Sequence, residues 1–217
     1  MKRIVIIGAG GHGREVSDIL RAQTATEIVG FIDDCKEIHG NEVDGLPVLG
    51  DWSWFDSVRP AEFAVVCAVG SPQLCRRLIQ RAKSLGLGFA SAISQLAYVS
   101  PLARLGEGIT VFPFAVINPG AVVESFSILN LACTVSHDTK IGRYSNVNPG
   151  AHLAGNVTLG EGCYVGMGAN VIQGRSIGEW SIVGAGAVVT ANLPANVTAV
   201  GVPAKIVKTR EDRWYDK

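Results

Sequence analysis

An excess of one charge is missing from this 217-residue chain: 19 Lys and Arg stand against 19 Asp and Glu. No global field therefore draws in nucleic acid or an anionic membrane, and any anionic ligand must be held by local geometry. Long apolar runs are missing too. The run behind Met1-Lys2-Arg3 extends only from Ile4 to Ile7, too short for a signal-peptide core, and nothing approaches the ~20 apolar residues of a membrane span. A cytoplasmic protein with no nucleic-acid partner and no membrane insertion is expected. The five cysteines are odd in number and contain no C-x-x-C pair, which argues against disulfides and against a zinc site, so no metal is expected. Histidine is scarce: of four, only His137 and His152 fall in the second half of the chain.

What is present is a period. From Val99 to Val189 every sixth residue is aliphatic, without exception over sixteen positions, among them Val111, Leu129, Val135, Ile141, Val147, Leu159 and Val183. Neither a helix of period 3.6 nor a strand of period 2 confines aliphatic residues to one position in six. A solenoid does, with each hexapeptide making one short strand and one corner and the aliphatic side chain stacking inward. The position four residues on is small in most units, including Ala115, Ser127, Cys133, Thr139, Ala151 and Cys163. Cys133 and Cys163 thus read as small apolar residues. Glycine often follows the aliphatic residue, as at Gly106, Gly142, Gly160 and Gly184. That suits corners that need positive φ or have no room for a side chain. Three hexapeptides per triangular coil make about five coils.

The front of the chain follows another grammar. Lys2 to Ile7 reads as a buried strand, Gly8-Ala9-Gly10-Gly11-His12-Gly13 as a glycine turn of G-x-G-x-x-G form, and Arg14 to Ala22 as a helix. A second strand, Ile28 to Ile32, ends in Asp33-Asp34, where a dinucleotide fold carries the acid that meets a ribose hydroxyl. A short strand is expected around Leu46-Leu49, with Trp52, Trp54 and Phe55 covering the sheet edge. A third buried strand runs from Phe63 to Val69, followed by a helix from Gln73 to Leu85. Such βαβ alternation places a ligand at the carboxyl ends of the strands, near Gly10, Gly11, His12, Gly13, Asp33, Asp34 and Gly70. Only one mononucleotide half fits before the repeat begins, so a mononucleotide or nucleotide sugar suits the site better than NAD. The expected domains are 1–94, Rossmann-like and nucleotide-sugar binding, 95–195, a parallel β-helix, and 196–217, a cap or loose tail.

Because stacked aliphatics fill a solenoid, chemistry belongs on its faces and corners. His137 follows the inward Val135 by two residues and is itself followed by Asp138. An imidazole beside a carboxylate is held in one tautomer, which suits removal of a proton from an attacking amine or hydroxyl. His39 and His152 read as surface residues.

The run Ser136-His137-Asp138-Thr139-Lys140-Ile141-Gly142, the opening Gly8 to Gly13, and Gly201-Val202-Pro203-Ala204-Lys205 together resemble the sialic acid O-acetyltransferase NeuD family of sugar O- and N-acetyltransferases. Within it the chain looks nearest to enzymes that acetylate nucleotide-linked amino sugars, such as the UDP-bacillosamine precursor and GDP-perosamine acetyltransferases. The resemblance implies a left-handed β-helix, acetyl-CoA as co-substrate and a homotrimer with acetyl-CoA between subunits. It further implies acetylation of a nucleotide-linked amino sugar for surface polysaccharide or glycan synthesis. Residue by residue, it makes His137 the general base, Asp138 its partner and Asn130 a contact to the sugar. The resemblance also assigns Gly11, His12, Gly13, Asp33, Asp34 and Gly70 to the nucleotide, and Gly155, Met167 and Ala185 to the CoA groove. Relatives often carry a second histidine nine residues after the first. Here Asn146 stands there, either as a donor to the thioester oxygen or as a corner residue. Two other readings remain open on the sequence: O-acetylation of sialic acid or another small acceptor, and a non-catalytic hexapeptide-repeat scaffold.

Overall fold

A computed structural model describes residues 2–23 and 26–216, and the chain divides into two compact units, Met1–Ser94 and Gln95–Lys217.

The first unit is built on six strands, β1 (Lys2–Ile7), β2 (Thr26–Ile32), β3 (Glu42–Val43), β4 (Leu46–Gly50), β5 (Phe63–Cys67) and β6 (Gly88–Phe89), in the order β3-β4-β2-β1-β5-β6. All pairings are parallel except β3 with β4. Ile4 to Ile7 and the whole of β5 are buried, as central parallel strands covered on both faces must be. Helix α1 (Gly11–Arg21) joins β1 to β2 and buries Val16, Ile19 and Leu20. Helix α2 (Pro72–Ser84) joins β5 to β6, and its start is fixed by Ser71, whose Oγ accepts from Leu74 N–H, and by Pro72 in the first turn.

Two expectations need correction. The first helix begins at Gly11, three residues before Arg14. Gly10 is its extended N-cap and the first helical bond runs from Arg14 N–H to Gly10 O, at 3.1 Å. Glycine is acceptable at an N-cap, whose backbone is not helical. Trp52 and Phe55 do not cover a sheet edge. They are buried in one core with Val5, Ile7, Ile32, Phe63, Val65 and Ala82, with Trp54 packed against it, because the short helix Trp52–Ser57 folds under one face of the sheet.

The second unit is a parallel β-helix. Each two-residue strand pairs in parallel with the strand 18 residues on, as in Val116↔Thr134, Val122↔Lys140 and Ile128↔Asn146, so three hexapeptides close one coil. The inward aliphatics from Val111 to Val189 are buried. So are Ala115, Ser127, Cys133, Thr139, Ala151 and Cys163 four places on, with Ile109 and Val157 in the same slot. Burial pushes the thiols of Cys133 and Cys163 up to about 12, as expected for cysteines used as packing residues.

The corners divide their work between two positions. The glycines directly after the aliphatic residue do not take positive φ. A Cβ there would meet backbone of the next coil, 2.5 Å from Ser125 N at Gly106 and 2.6 Å from Glu179 N at Gly160, so close approach is their reason. The left-handed residue comes two positions later, and it need not be glycine: Phe114 (φ 63), Ala132 (φ 52), Asp138 (φ 59), Tyr144 (φ 60) and Asn156 (φ 59) all occupy it.

The parallel ladder also runs past residue 195. Val189 still pairs with Val171, but Leu193 already bridges Ile177 two residues early, so the phase slips between Val189 and Leu193; Val197 and Ala199 then turn inward, and Val197–Val200 pairs in parallel with Ile182–Val183. Lys205–Thr209 then lies antiparallel on that strand, and Tyr215 stacks on Trp180 at 4.0 Å.

Candidate functional site

His137 and Asp138 occupy one corner of the third coil. Asp138 adopts the left-handed conformation that Asp tolerates, and this turns its carboxylate back beside the preceding ring. His137 Nδ1 lies 2.9 Å from Asp138 Oδ2. A carboxylate there accepts, so Nδ1 carries the proton and Nε2 presents a lone pair. Both side chains are exposed, 62% and 61%, so the pair faces outward from the chain that carries it. Backbone bonds tie this corner to its neighbours: Asp138 N–H donates to Pro119 O (3.2 Å) and Asn156 N–H to His137 O (3.0 Å). Gly155 lies directly under the imidazole, where a Cβ would stand 2.5 Å from Cε1 and Nε2.

The other residues assigned to the sugar and to CoA lie elsewhere on the coil. Asn130, six residues before Ser136, is one third of a coil away. It is buried, and its Oδ1 accepts from Leu131 N–H at 2.8 Å, so it closes its own corner. Asn146 is a strand residue (Asn146–Val147), not a corner one, and lies 2% exposed half a coil from His137. Met167 and Ala185 follow one another on a further corner, joined through Gly186 N–H to Met167 O at 2.8 Å, and both are exposed. One chain therefore brings Gly155 to His137 but not Asn130, Asn146, Met167 or Ala185. His152 is exposed, its Nδ1 2.9 Å from Thr134 Oγ1.

In the first unit the carboxyl ends of the strands are held level by Gly8 N–H to Ile32 O, Ala68 N–H to Ile7 O and Asp33 N–H to Gly50 O, each 2.9 Å. The glycines of the turn differ. A Cβ at Gly13 would collide with Gly8 O, and at Gly8 it would meet Ala68 O at 3.1 Å, so these two allow close packing. A Cβ added at Gly10 or Gly11 would meet no other part of the described residues within 4 Å, which leaves open space at the helix N-terminus, where N–H groups favour an anion. His12 is half-buried there. Burial holds its imidazole below the usual range, against the pull of Glu15 at 3.6 Å.

Of the two acids, Asp33 is engaged by the backbone: its Oδ2 accepts from Ala9 N–H and its Oδ1 from Cys35 N–H, both at 2.9 Å. It clamps the glycine turn to the end of β2. Asp34 is exposed and borders a cleft of about 430 Å3 with Asp51, Asp56 and Arg81. Gly70 is half-buried at the end of the β5 turn. His39, assigned to the surface from sequence, is half-buried with Nε2 2.7 Å from Asp33 O, so it braces the same strand end. Nothing in its neighbours signals this. Gly120, one coil before Asp138, also borders the pair: a Cβ there would stand 3.3 Å from Asp138 Cγ.

An α/β unit with an open glycine turn, followed by a hexapeptide β-helix with an exposed imidazole–carboxylate pair on one corner, defines a nucleotide-sugar acyltransferase class. Residues 3–82 match the PglD N-terminal domain model, and residues 138–173 and 156–191 match the bacterial transferase hexapeptide (six repeats) model. The chain is 30% identical over 164 residues to a GDP-perosamine N-acetyltransferase of Escherichia coli O157:H7, covering 73% of each. PerB from Caulobacter crescentus, solved in complex with CoA and GDP-perosamine, superposes with a TM-score of 0.89 at 37% identity over 96% of this chain and 98% of that one. The acetyltransferase domain of PglB from Neisseria gonorrhoeae in complex with acetyl coenzyme A gives 0.88 at 34% identity, over 95% and 99%. The chain belongs to the PglD-type family of sugar N-acetyltransferases.

Proposed function

We propose that this protein transfers acetyl from acetyl-CoA to the amino group of a nucleotide-linked amino sugar, with His137 as the general base. The observation that carries the reading is the Nδ1···Oδ2 contact of 2.9 Å, which leaves Nε2 free to accept a proton on an exposed corner. The acceptor nitrogen attacks the thioester carbonyl, Nε2 takes the proton released from that nitrogen, and the C–S bond breaks. The imidazolium then returns the proton to the leaving thiolate, so no covalent enzyme intermediate is needed. Asp138 fixes the tautomer and steadies the imidazolium. The open turn at Gly10 and Gly11, with His12, Asp34 and Gly70 around the same strand ends, receives the nucleotide end, and Asp33 holds that turn in shape. Amino over hydroxyl acceptors follows from the GDP-perosamine relatives, and the finer kinship to the sialic acid O-acetyltransferase family rests on the motifs alone.

The working assembly in this reading is a homotrimer. His137 sits on one corner and the CoA-assigned Met167 and Ala185 on another, so one site draws them from adjacent copies. Exposed Leu96, Phe114, Leu131 and Met167 give the corner region an apolar surface suited to burial. Thiol release from acetyl-CoA is the test, with GDP- and UDP-linked 4-amino sugars, the free sugars, and sialic acid as acceptors. Turnover with a nucleotide-linked amino sugar at least 10²-fold above the free sugar is expected, since remote binding raises the rate at the reacting centre. Turnover with sialic acid alone, or with none of them, overturns the reading.

A further inference from the structure

The hexapeptide pattern leaves two glycines near the histidine that the solenoid itself does not require. Gly120 (φ 74) takes the left-handed corner position, yet Phe114, Ala132, Asp138 and Asn156 take the same position without being glycine. Gly155 takes no left-handed φ. Among the residues two places after each aliphatic one, from Pro101 to Ala191, it is the single glycine, in a series that includes Pro119, His137, Arg143, Pro149, Met167 and Gln173. Backbone conformation favours but does not require glycine at 120, and does not account for glycine at 155.

Contacts with the catalytic pair explain both. One coil before Asp138, a Cβ on Gly120 would fall inside contact distance of Asp138 Oδ1 and 3.3 Å from its Cγ. One coil after His137, a Cβ on Gly155 would stand 2.5 Å from Cε1 and Nε2 and 3.1 Å from Cδ2. The carboxylate thus rests on one glycine and the ring on the other, and the corner is held at fixed spacing by the Asp138-to-Pro119 and Asn156-to-His137 backbone bonds. We propose that Gly120 and Gly155 are positioning residues, a two-sided cradle in which the missing side chains keep the imidazole and carboxylate flat along the corner and at hydrogen-bonding distance. A methyl at 120 pushes Oδ1 aside and breaks the pair. A methyl at 155 lifts the ring and moves Nε2. The inference rests on His137 as base for its kinetic consequence, but its geometric content stands without it.

Two cycles test it. In the first, Gly120→Ala lowers kcat by about 10-fold to 10²-fold, the scale expected for misplacing a reacting group by about 1 Å, with KM for acetyl-CoA little changed. Gly174→Ala serves as control: it lies on the same corner three coils after Gly120, has φ 68, and an added Cβ there meets none of the described residues within 4 Å. It carries the same backbone strain and is expected to keep kcat. Adding Gly120→Ala to Asp138→Ala changes kcat no further, because the carboxylate that the methyl strikes is gone. Fully additive losses, or equal kcat for the two glycine variants, overturn the cradle. In the second cycle, Gly155→Ala lowers the melting temperature of the wild type but not of His137→Ala, since the methyl then fills the space that the ring left. The same drop in both backgrounds overturns the assignment of Gly155. If His137→Ala keeps its kcat, the catalytic reading fails, while the melting cycle still reports whether the ring rests on Gly155.

Discussion

Glycine does opposite things in the two units. In the first, Gly10 and Gly11 border empty space, and what matters is the volume left for another molecule. In the second, Gly106, Gly142, Gly160 and Gly178 border the backbone of the next coil, and what matters is that no volume is left at all. One set sacrifices packing for recognition, and the other sacrifices side chains for packing. The left-handed corners, where glycine is conformationally favoured, are filled by Phe, Tyr, Asp, Asn and Trp as readily as by glycine. The glycines directly after the inward aliphatics of the repeat thus serve proximity, and Gly10 and Gly11 of the front turn serve access.

The contrast sharpens first through activity. His137→Ala is expected to lower kcat by about 10² to 10⁴, as for loss of a general base, while nucleotide-sugar affinity measured by calorimetry stays unchanged. Asp34→Ala should do the reverse, weakening the nucleotide sugar with acetyl-CoA affinity intact. If each variant loses both, chemistry and recognition are not divided between the units.

Next in size is a stability difference. Gly160→Ala forces a methyl against Glu179 N and should destabilise by about 1 to 3 kcal/mol, the usual cost of overpacking, seen as a lower melting temperature. Gly10→Ala has room for its methyl and should leave the melting temperature nearly unchanged while weakening the nucleotide sugar. Equal melting shifts for the two would erase the distinction drawn here.

Asn146 tests the boundary between packing and chemistry. An oxyanion donor lost by Asn146→Ala would lower kcat by up to about 10² to 10³. Its burial at 2% instead favours a lower melting temperature, with kcat changed by less than about ten-fold. Measuring both quantities on one preparation decides.

The smallest effect concerns pH. Burial holds the folded-state pKa of His12 below the ordinary histidine value of about 6.5, so as pH falls the unfolded chain takes up this proton before the folded one does. The stabilising contribution is complete above about pH 6.5 and is lost as pH falls through the lower folded value. His12→Gln should flatten the dependence of melting temperature on pH between about 5 and 7, and an unchanged slope would remove burial as the cause.

Legibility in the sequence followed the physics of each feature. The coil was readable because one inward side chain recurs every six residues, and the pairing of His137 with Asp138 because they are adjacent. The roles of Gly120 and Gly155 needed the 18-residue offset to be applied to the dyad itself. Asp33 looked like a ribose ligand by its distance from the glycine turn, but whether its oxygens meet Ala9 and Cys35 depends on loop closure, which residue type does not encode. His39 is the same case. Trp52 and Phe55 were misread because apolar residues in a turn-rich stretch suit an edge and a core equally, and only the path of the short helix separates the two.

The fixed offset of the ladder also governs how this chain can change in length over evolutionary time. A single inserted residue within a strand would turn every later inward aliphatic outward, so small insertions belong at corners. A whole coil of 18 residues can be gained or lost with every partner kept in phase, because each coil touches only its neighbours. The cradle around His137 needs the coil before it and the coil after it and nothing beyond Asn156. Descendants and cousins of this protein are thus free to lengthen or shorten behind that point, resizing the surface beyond the catalytic corner while inheriting the corner intact.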